Sequence, residues 1–391
     1  MLDQAQQSLP PDRPSRLLSL DLLRGLTIAF MILVNNPGSE DAYPPLHHAF
    51  WNGFTPTDLV FPTFLFLVGI TTVFSLSSRL DRLEPKSKLF WTILRRAVLL
   101  YIIGIVVSTF PFTDLEHIRY VGVLHRIALC YLVVGSLYLL NQGWRDKLVL
   151  FAIALIGYWA LLRFVPVPGY GIPTHNIPLL DRDGNLAAWL DRWMFAPQHL
   201  YERTRDPEGL LSTIPALGTA LMGVLTGIFL RTHHTLRTKI AAIAAAGLTS
   251  ALLGLLWNLT LPINKKMWTS SYVLFAGGLS LLLLAAAMAL IEIPSAAESK
   301  PQRSRRSRVF TPLLVFGTNA IAAYALAELL EDIIYSISIH PGLSLHHAVW
   351  NAFHQVIPNA AFASLLYSCA FVLLCWAPIY LLYRNRIFLK I

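Results

Sequence analysis

The chain has 391 residues, of which 55% are hydrophobic and only 14% charged, and its formal net charge is +9. A soluble globular chain carries about 25% charged residues, so this composition excludes a water-soluble enzyme. Apolar runs of about 20 residues, each long enough to cross a bilayer as a helix, follow one another along the chain. We therefore predict an all-α, polytopic membrane protein.

Ten transmembrane helices are predicted from the apolar runs and the residues that interrupt them. A cytoplasmic tail, 1–16, precedes the first helix and lacks the apolar core of a signal peptide, so the first helix is retained. Residues 17–391 are predicted to form one transmembrane domain. In chain order the spans cover about 17–35, 57–78, 89–110, 123–140, 147–165, 210–231, 238–258, 270–293, 309–330 and 361–383.

The basic residues predict the orientation of these spans. With both termini cytoplasmic, the inner segments hold 21 Lys and Arg and the outer segments eight. Positive charge collects on the cytoplasmic side of membrane proteins, so this asymmetry favours that topology. Basic segments such as KPQRSRRSR (300–308) then suit a cytoplasmic membrane surface, and no nucleic-acid partner is expected.

A nine-residue segment occurs twice, as LHHAFWNGF at 46–54 and LHHAVWNAF at 345–353, with seven identical positions. We call these the first and second histidine segments. Both are predicted on the outer side, between an outgoing and a returning helix. Trp and His suit a membrane boundary, so chance similarity between two interfacial turns is one interpretation. An ancient duplication, or a substrate mouth with two sides, is the other, and the sequence leaves both open.

Ionisable residues inside predicted spans are costly and therefore indicate function by default. Asp21 and Arg24 lie three residues apart in the first span, on one helical face, where they can form an ion pair. Arg126 lies near the start of the fourth span and could bind an anionic ligand through two parallel hydrogen bonds. For Asp21 and Arg24 a ligand site and a purely structural ion pair are the two interpretations, and for Arg126 the alternative is a contact to lipid phosphate or to a helix end.

The densest polar cluster runs from Asn35 to Asp58, between the first two spans. His47 and His48 are presented just before Trp51 and Asn52, and imidazole is the side chain best suited to exchange a proton near neutrality. A carboxylate ten residues after His48 could orient its ring. We therefore predict a catalytic histidine in this loop, although most loop histidines are solvated surface residues.

Other motifs predict less. Paired histidines lack acidic or cysteine partners at ligand spacing, so no metal is expected, and neither a serine-hydrolase elbow nor a phosphate-binding loop occurs. Asp206 is predicted to cap a helix that begins at Pro207. Lys265 and Lys266 precede Trp268, which predicts either an interfacial anchor or a site for a charged ligand.

Five motifs together resemble the heparan-alpha-glucosaminide N-acetyltransferase family, especially its bacterial members linked to amino-sugar use. They are RLLSLDLLRGLTIAFMILVNNPG (16–38), LHHAFWNGFTPTDLVFPTFLFLVGI (46–70), VGVLHRIALCYL (121–132), DPEGLL (206–211) and INKKMWTSSYVL (263–274). The resemblance implies a multi-pass enzyme of the bacterial inner membrane, a homodimer, that transfers acetyl from cytoplasmic acetyl-CoA to a glucosamine amine on the periplasmic side.

The resemblance also implies roles for particular residues. His48, which precedes A-x-W-N-G, matches the family's catalytic histidine, and Asn35 matches the asparagine of M-x-x-V-N. Arg24 and Arg126 match arginines expected to contact CoA, and we add Asp21 and Lys265 to that site. Our hypothesis is that His48 deprotonates the acceptor amine or is itself briefly acetylated, while Asn35 donates a hydrogen bond to the acyl oxygen.

We further predict that Asp58 orients His48, and that Trp51, Asn52 and His47 bind the sugar. Two other functions are compatible with the same composition. An amino-sugar permease would also have many spans and intramembrane charges, but its site would lie on broken helices near the midplane. An O-acetyltransferase for an envelope glycan would share the donor and differ in the acceptor.

Overall fold

The computed structural model describes residues 17–112, 115–174, 176–297 and 300–389, and the side chains of 294–297 and 300–308 are not described. The predicted cytoplasmic tail, 1–16, and the side chains of the basic segment at 300–308 lie outside this description. Most of the described residues are helical, and very few are in strands. The helices are α1 (Leu18–Asn35), α2 (Val60–Leu80), α3 (Lys86–Thr109), α4 (Val123–Leu140), α5 (Arg145–Phe164), α6 (Leu186–Met194), α7 (Thr213–Leu230), α8 (Leu236–Trp257), α9 (Ser270–Ala297), α10 (Lys300–Thr318), α11 (Ala320–Ser336), α12 (Leu345–Val356) and α13 (Ala360–Arg384).

Shorter elements lie between some of these helices. Single 3₁₀ turns lie at Pro44–Leu46, Pro56–Leu59, Leu115–His117 and Pro197–His199. Two short antiparallel strands, β1 (Ser338–His340) and β2 (Leu343–Ser344), connect α11 to α12. Because the backbone of a membrane-spanning segment must satisfy its own hydrogen bonds, helices of this length and composition are the expected solution.

Nine described helices are long and apolar enough to cross a membrane, and a bent pair brings the total to ten if it counts as one span. These spans match the ten predicted from the sequence, and the polytopic helical fold is confirmed. The ninth differs from the expectation of one helix, because Val309–Thr318 and Ala320–Ser336 meet at an angle of 81°. An even count would place both ends of the helical bundle on one side; that this side is the cytoplasm stays a prediction.

The bend has identifiable local partners. At the break, the side chain of Asn319 donates to the carbonyl of Ile387 at 3.1 Å and accepts from the backbone N–H of Leu389 at 2.9 Å. Arg24 of α1 donates to the carbonyl of Gly317 at 3.0 Å. A backbone carbonyl beside the helix break is therefore hydrogen-bonded by a side chain of the protein, as a buried backbone group requires.

Close helix contacts depend on glycine. Gly69 of α2 and Gly223 of α7 face each other's backbone, and so do Gly25 of α1 and Gly317 of α10, with no room for a side chain at either crossing. Helices in lipid associate mainly by such close packing, since burial from water does not drive them together there. These contacts hold α2 against α7 and α1 against α10.

Candidate active site

The first histidine segment lies in the irregular loop between α1 and α2. Asn36 and Gly38 anchor the start of this loop to α13, where Ser368 donates to the Asn36 carbonyl at 2.9 Å and Ser364 accepts from the Gly38 N–H at 3.0 Å. Further along, the Gly53 N–H donates to the Ile263 carbonyl at 2.8 Å. The φ angle of Gly53 is +112°, a conformation that residues with a side chain rarely adopt, so glycine permits the loop to turn here.

Asp58 organises this loop from a fully buried position at the start of the second span. One carboxylate oxygen, Oδ1, lies 2.7 Å from Nδ1 of His48. The other, Oδ2, accepts from the backbone N–H groups of Ala49 and Thr55 at 3.1 and 3.0 Å. Because an ionised carboxylate only accepts, Nδ1 of His48 carries a proton, and in the neutral ring Nε2 is the nitrogen that has the lone pair.

His48 has the geometry of a general base or a nucleophile. Its side chain is 42% exposed, and it lines a cavity of about 830 Å³ at the predicted outer end of the bundle. The pKa of His48 lies below its ordinary value of 6.5, because desolvation and the Lys265 ammonium disfavour the imidazolium against the opposing pull of Asp58. The ring is therefore neutral at pH 7 and able to accept a proton at Nε2.

The cavity is lined by both basic and acidic residues. Its lining includes Arg119, Lys265 and Lys266, and of these Lys265 lies beside His48. Helix α11 supplies Glu328, Glu331 and Asp332, which share one helical face at spacings of three and four residues. Such a cavity offers polar contacts to an anionic group and hydrogen-bond acceptors to an amine.

Asn35 lies at the end of α1 in the same cavity lining as His48. Its side chain lies close to the carboxyl group of Glu328. On α1 the lining extends inward to Thr27, eight residues from Asn35 or about 12 Å along the helix axis. The cavity therefore enters the bundle well beyond the loop that carries His48.

Arg119 secures the turn at 206–209 beside the cavity. It binds Asp206 through two hydrogen bonds of 2.8 and 2.5 Å and Glu208 through one of 2.6 Å. Although burial disfavours its charge, these carboxylates raise the pKa of Arg119. The prediction that Asp206 caps a helix at Pro207 was wrong, because α7 begins at Thr213 and the buried Asp206 carboxylate is paired with a guanidinium instead.

The structure places the predicted donor-site residues in different surroundings. Asp21 and Arg24 form the expected ion pair, at 3.2 Å. Arg126 is fully buried: it donates to Ser212 and, at 3.1 Å, to the Gly209 carbonyl. None of these three is part of the described cavity lining, whereas Lys265 is. Their assignment to CoA stays a prediction.

The predicted sugar-binding residues form hydrogen bonds to neighbouring parts of the chain. Trp51 donates from Nε1 to the Leu180 carbonyl at 2.9 Å, and Asn52 accepts from Asn264 at 3.0 Å. Nε2 of His47 lies 3.0 Å from the Ala42 carbonyl. In the described cavity lining, Phe50 and not Trp51 is the exposed aromatic side chain of this segment. Sugar binding by Trp51, Asn52 and His47 stays a prediction.

Several lining residues were not anticipated from the sequence. Glu328 lies inside the predicted ninth span, so the rule that singled out Arg24 and Arg126 would have found it. No comparable feature of the sequence marks Phe50.

Trp268 was predicted to lie at the membrane interface. It is fully buried and donates to Thr219 at 3.2 Å, so that interpretation was wrong. Among the described residues, no three His, Cys, Asp or Glu side chains are grouped to hold a metal ion.

Comparison with known proteins identifies relatives of this chain. A family model described as "Heparan-alpha-glucosaminide N-acetyltransferase, catalytic" matches residues 16–263. A Homo sapiens protein named heparan-alpha-glucosaminide N-acetyltransferase is 28% identical over 372 residues, which cover 82% of this chain and 54% of that protein. Its Mus musculus counterpart is also 28% identical, covering 81% and 54%. The chain therefore spans about half the length of these curated relatives.

Proposed function

The chain belongs to the heparan-alpha-glucosaminide N-acetyltransferase family, and from this membership we propose that it is an acetyl-CoA-dependent N-acetyltransferase. The acetyl group moves from cytoplasmic acetyl-CoA to the amine of glucosamine, or of a terminal glucosaminide, on the periplasmic side. The proposed location is the bacterial inner membrane, and the proposed assembly is a homodimer.

One observation carries the proposal: Nδ1 of His48 is held by Asp58 at 2.7 Å in the wall of a cavity that enters the bundle. When a carboxylate holds Nδ1 of a histidine, the ring has a fixed tautomer and orientation, and Nε2 can act as the base. Acyl transfer to an amine requires such a base, because the attacking amine must lose a proton as its bond to the acyl carbon forms.

In the proposed reaction, Nε2 of His48 takes the proton of the acceptor amine and Asp58 stabilises the resulting imidazolium. Asn35 donates to the acyl oxygen as negative charge develops on it. A primary amide has two N–H donors, so Asn35 can retain its contact to Glu328 while it does so. The CoA thiolate leaves and is protonated from His48.

His48 could instead accept the acetyl group at Nε2 before the amine attacks. The two routes differ in kinetics, since direct transfer proceeds through a ternary complex and an acetyl-imidazole intermediate gives ping-pong behaviour. Release of CoA in a burst before any amino sugar is added would support the intermediate.

In this proposal the donor's route runs past Arg24. Thr27, in the cavity lining, lies three residues after Arg24 and therefore on the same face of α1. A thioester arm that enters from the cytoplasmic end along this face would pass Arg24 before it reaches His48. Glu328, Glu331 and Asp332 line the same cavity and offer carboxyl oxygens to which the amine of the acceptor can hydrogen-bond.

The test is purified protein with labelled acetyl-CoA and glucosamine. We expect labelled N-acetylglucosamine and free CoA in equal amounts. In proteoliposomes, uptake of glucosamine without release of CoA would support a permease instead. Transfer to the hydroxyls of a glycan, but not to glucosamine, would indicate an O-acetyltransferase.

A further inference from the structure

The amine of Lys265 lies at the atom of His48 where an acceptor is required. Nζ of Lys265 is 3.1 Å from Nε2 and 3.4 Å from Nδ1 of the imidazole. Since Asp58 already binds Nδ1, the productive neighbour is Nε2. A primary amine within hydrogen-bonding distance of the base has the position that the proposed reaction demands of its acceptor.

The turn that carries Lys265 is fixed to the loop that carries His48. Asn264 is fully buried; its Oδ1 accepts from the Met267 N–H at 2.9 Å, and its Nδ2 donates to Asn52 at 3.0 Å. The Lys265 carbonyl accepts from the Trp268 N–H at 3.0 Å. The side chain is therefore held near the base by its own backbone, which gives it the high effective concentration of an intramolecular reactant.

The surroundings of Lys265 also favour a neutral, nucleophilic amine. Burial in the cavity wall lowers the pKa of Lys265 below its ordinary value of 10.5, against the opposing charges of Glu208 and Asp58. Only the neutral amine has the lone pair that attacks a thioester. A larger fraction of Lys265 is thus reactive at pH 7 than of an ordinary lysine.

We propose that Lys265 is itself an acetyl acceptor, modified by the enzyme when acetyl-CoA is bound and no amino sugar is present. This inference rests on the proposed function. Nζ attacks the acyl carbon, so that an N–C bond forms and the C–S bond breaks. The proton of Nζ passes to Nε2 of His48 and then to the departing thiolate. The product is a neutral amide that fills the acceptor's place and slows the enzyme.

Lys266 provides a matched control one residue away. It also lines the cavity, but its Nζ is paired with Glu202 at 3.0 Å and has no described contact with His48. Nonspecific acetylation by acetyl-CoA would reach both lysines and would not depend on His48. Modification directed by His48 would select Lys265.

The experiment incubates the full chain with acetyl-CoA alone and measures acetylation of each lysine by peptide mass spectrometry. We expect Lys265 to be acetylated about tenfold or more above Lys266, a small part of what intramolecular placement can supply. Glucosamine in excess should suppress the modification, His48→Ala should abolish the preference, and Lys266→Arg should leave it unchanged. Loss of activity during incubation should follow the acetylated fraction of Lys265.

Acetylation of glucosamine is measured in the same preparation, so that the two proposals can fail separately. If glucosamine is acetylated while Lys265 is modified no more than Lys266, the self-acetylation proposal is wrong and the enzyme assignment stands. Equal modification in the His48→Ala variant would also overturn it. If neither glucosamine nor Lys265 receives acetyl, both proposals fall.

Discussion

The two histidine segments share seven of nine residues and adopt different structures. The first is an irregular loop, while the second forms the first part of α12. In the first, Nδ1 of His48 binds the buried Asp58 at 2.7 Å. In the second, Nδ1 of the matching His347 lies 2.8 Å from the hydroxyl of Ser344, the residue that caps α12.

Residues at and after the segments account for the difference. Gly53 has a positive φ, and Thr55 and Pro56 then start a new helix, so the first segment cannot continue as one. In the second segment, Ala352 takes the place of Gly53. His354 and Gln355 stand where the first has Thr55 and Pro56, and the helix continues to Val356. A shared sequence therefore does not give a shared site. The carboxylate that follows the first segment converts a histidine into a candidate base.

The sharpest test of this comparison exchanges each histidine for alanine. We expect His48→Ala to lower kcat by about 10²- to 10³-fold, since the proposed base is lost. His347→Ala should retain nearly full activity. Turnover of acetyl-CoA with glucosamine measures both, and binding of acetyl-CoA should persist in each variant. Near-normal turnover by His48→Ala would remove this residue from the mechanism.

The partners of the two histidines provide the second test. Asp58→Asn keeps the shape of the side chain but no longer enforces the proton on Nδ1, so we expect kcat to fall about 10²-fold. Ser344→Ala removes the partner of His347 and a helix cap, which costs about 1 kcal/mol of stability. Its kcat should be unchanged. Comparable losses of kcat in the two variants would contradict the distinction between the segments.

The residues at which the segments differ give a third test. Gly53→Ala places a side chain at φ +112°, with free space around it, so its cost of about 1–3 kcal/mol is conformational. We expect lower thermal stability and lower kcat together, because the loop also carries His48. Ala352→Gly in α12 should cost only about 0.5–1 kcal/mol and leave kcat intact. A fully active, fully stable Gly53→Ala variant would show that this backbone conformation is not required.

The smallest expected effect is on the pH dependence. Because the pKa of His48 is lowered, kcat/KM calculated for the neutral form of the acceptor amine should fall only as the pH drops below 6.5, when the base becomes protonated. The Lys265 ammonium contributes to that lowering, so Lys265→Gln should move the midpoint to higher pH. Lys266→Gln is the control and should not move it. An acid limb centred above 6.5 in the unmodified protein would contradict the assignment of His48.

Much of the site was accessible from the sequence because it is local. Asn35, His48 and Asp58 lie within 24 consecutive residues, and the family motifs that contain them predicted the membership that the family model and the two relatives confirm. The spans were predictable for a related reason: length and apolar composition alone decide whether a segment can cross a bilayer. The ion pair of Asp21 and Arg24 followed from helical spacing.

Only the tertiary structure decided which distant groups meet. It brought Lys265 to within 3.1 Å of a histidine more than 200 residues earlier, and it placed the acidic face of α11 in the same cavity. It also directed Trp51 and Asn52 into the loop framework and bent the ninth span at Asn319. A hydropathy pattern fixes how each helix lies in the membrane, whereas side-chain neighbours depend on how the helices pack against one another, which no local pattern specifies.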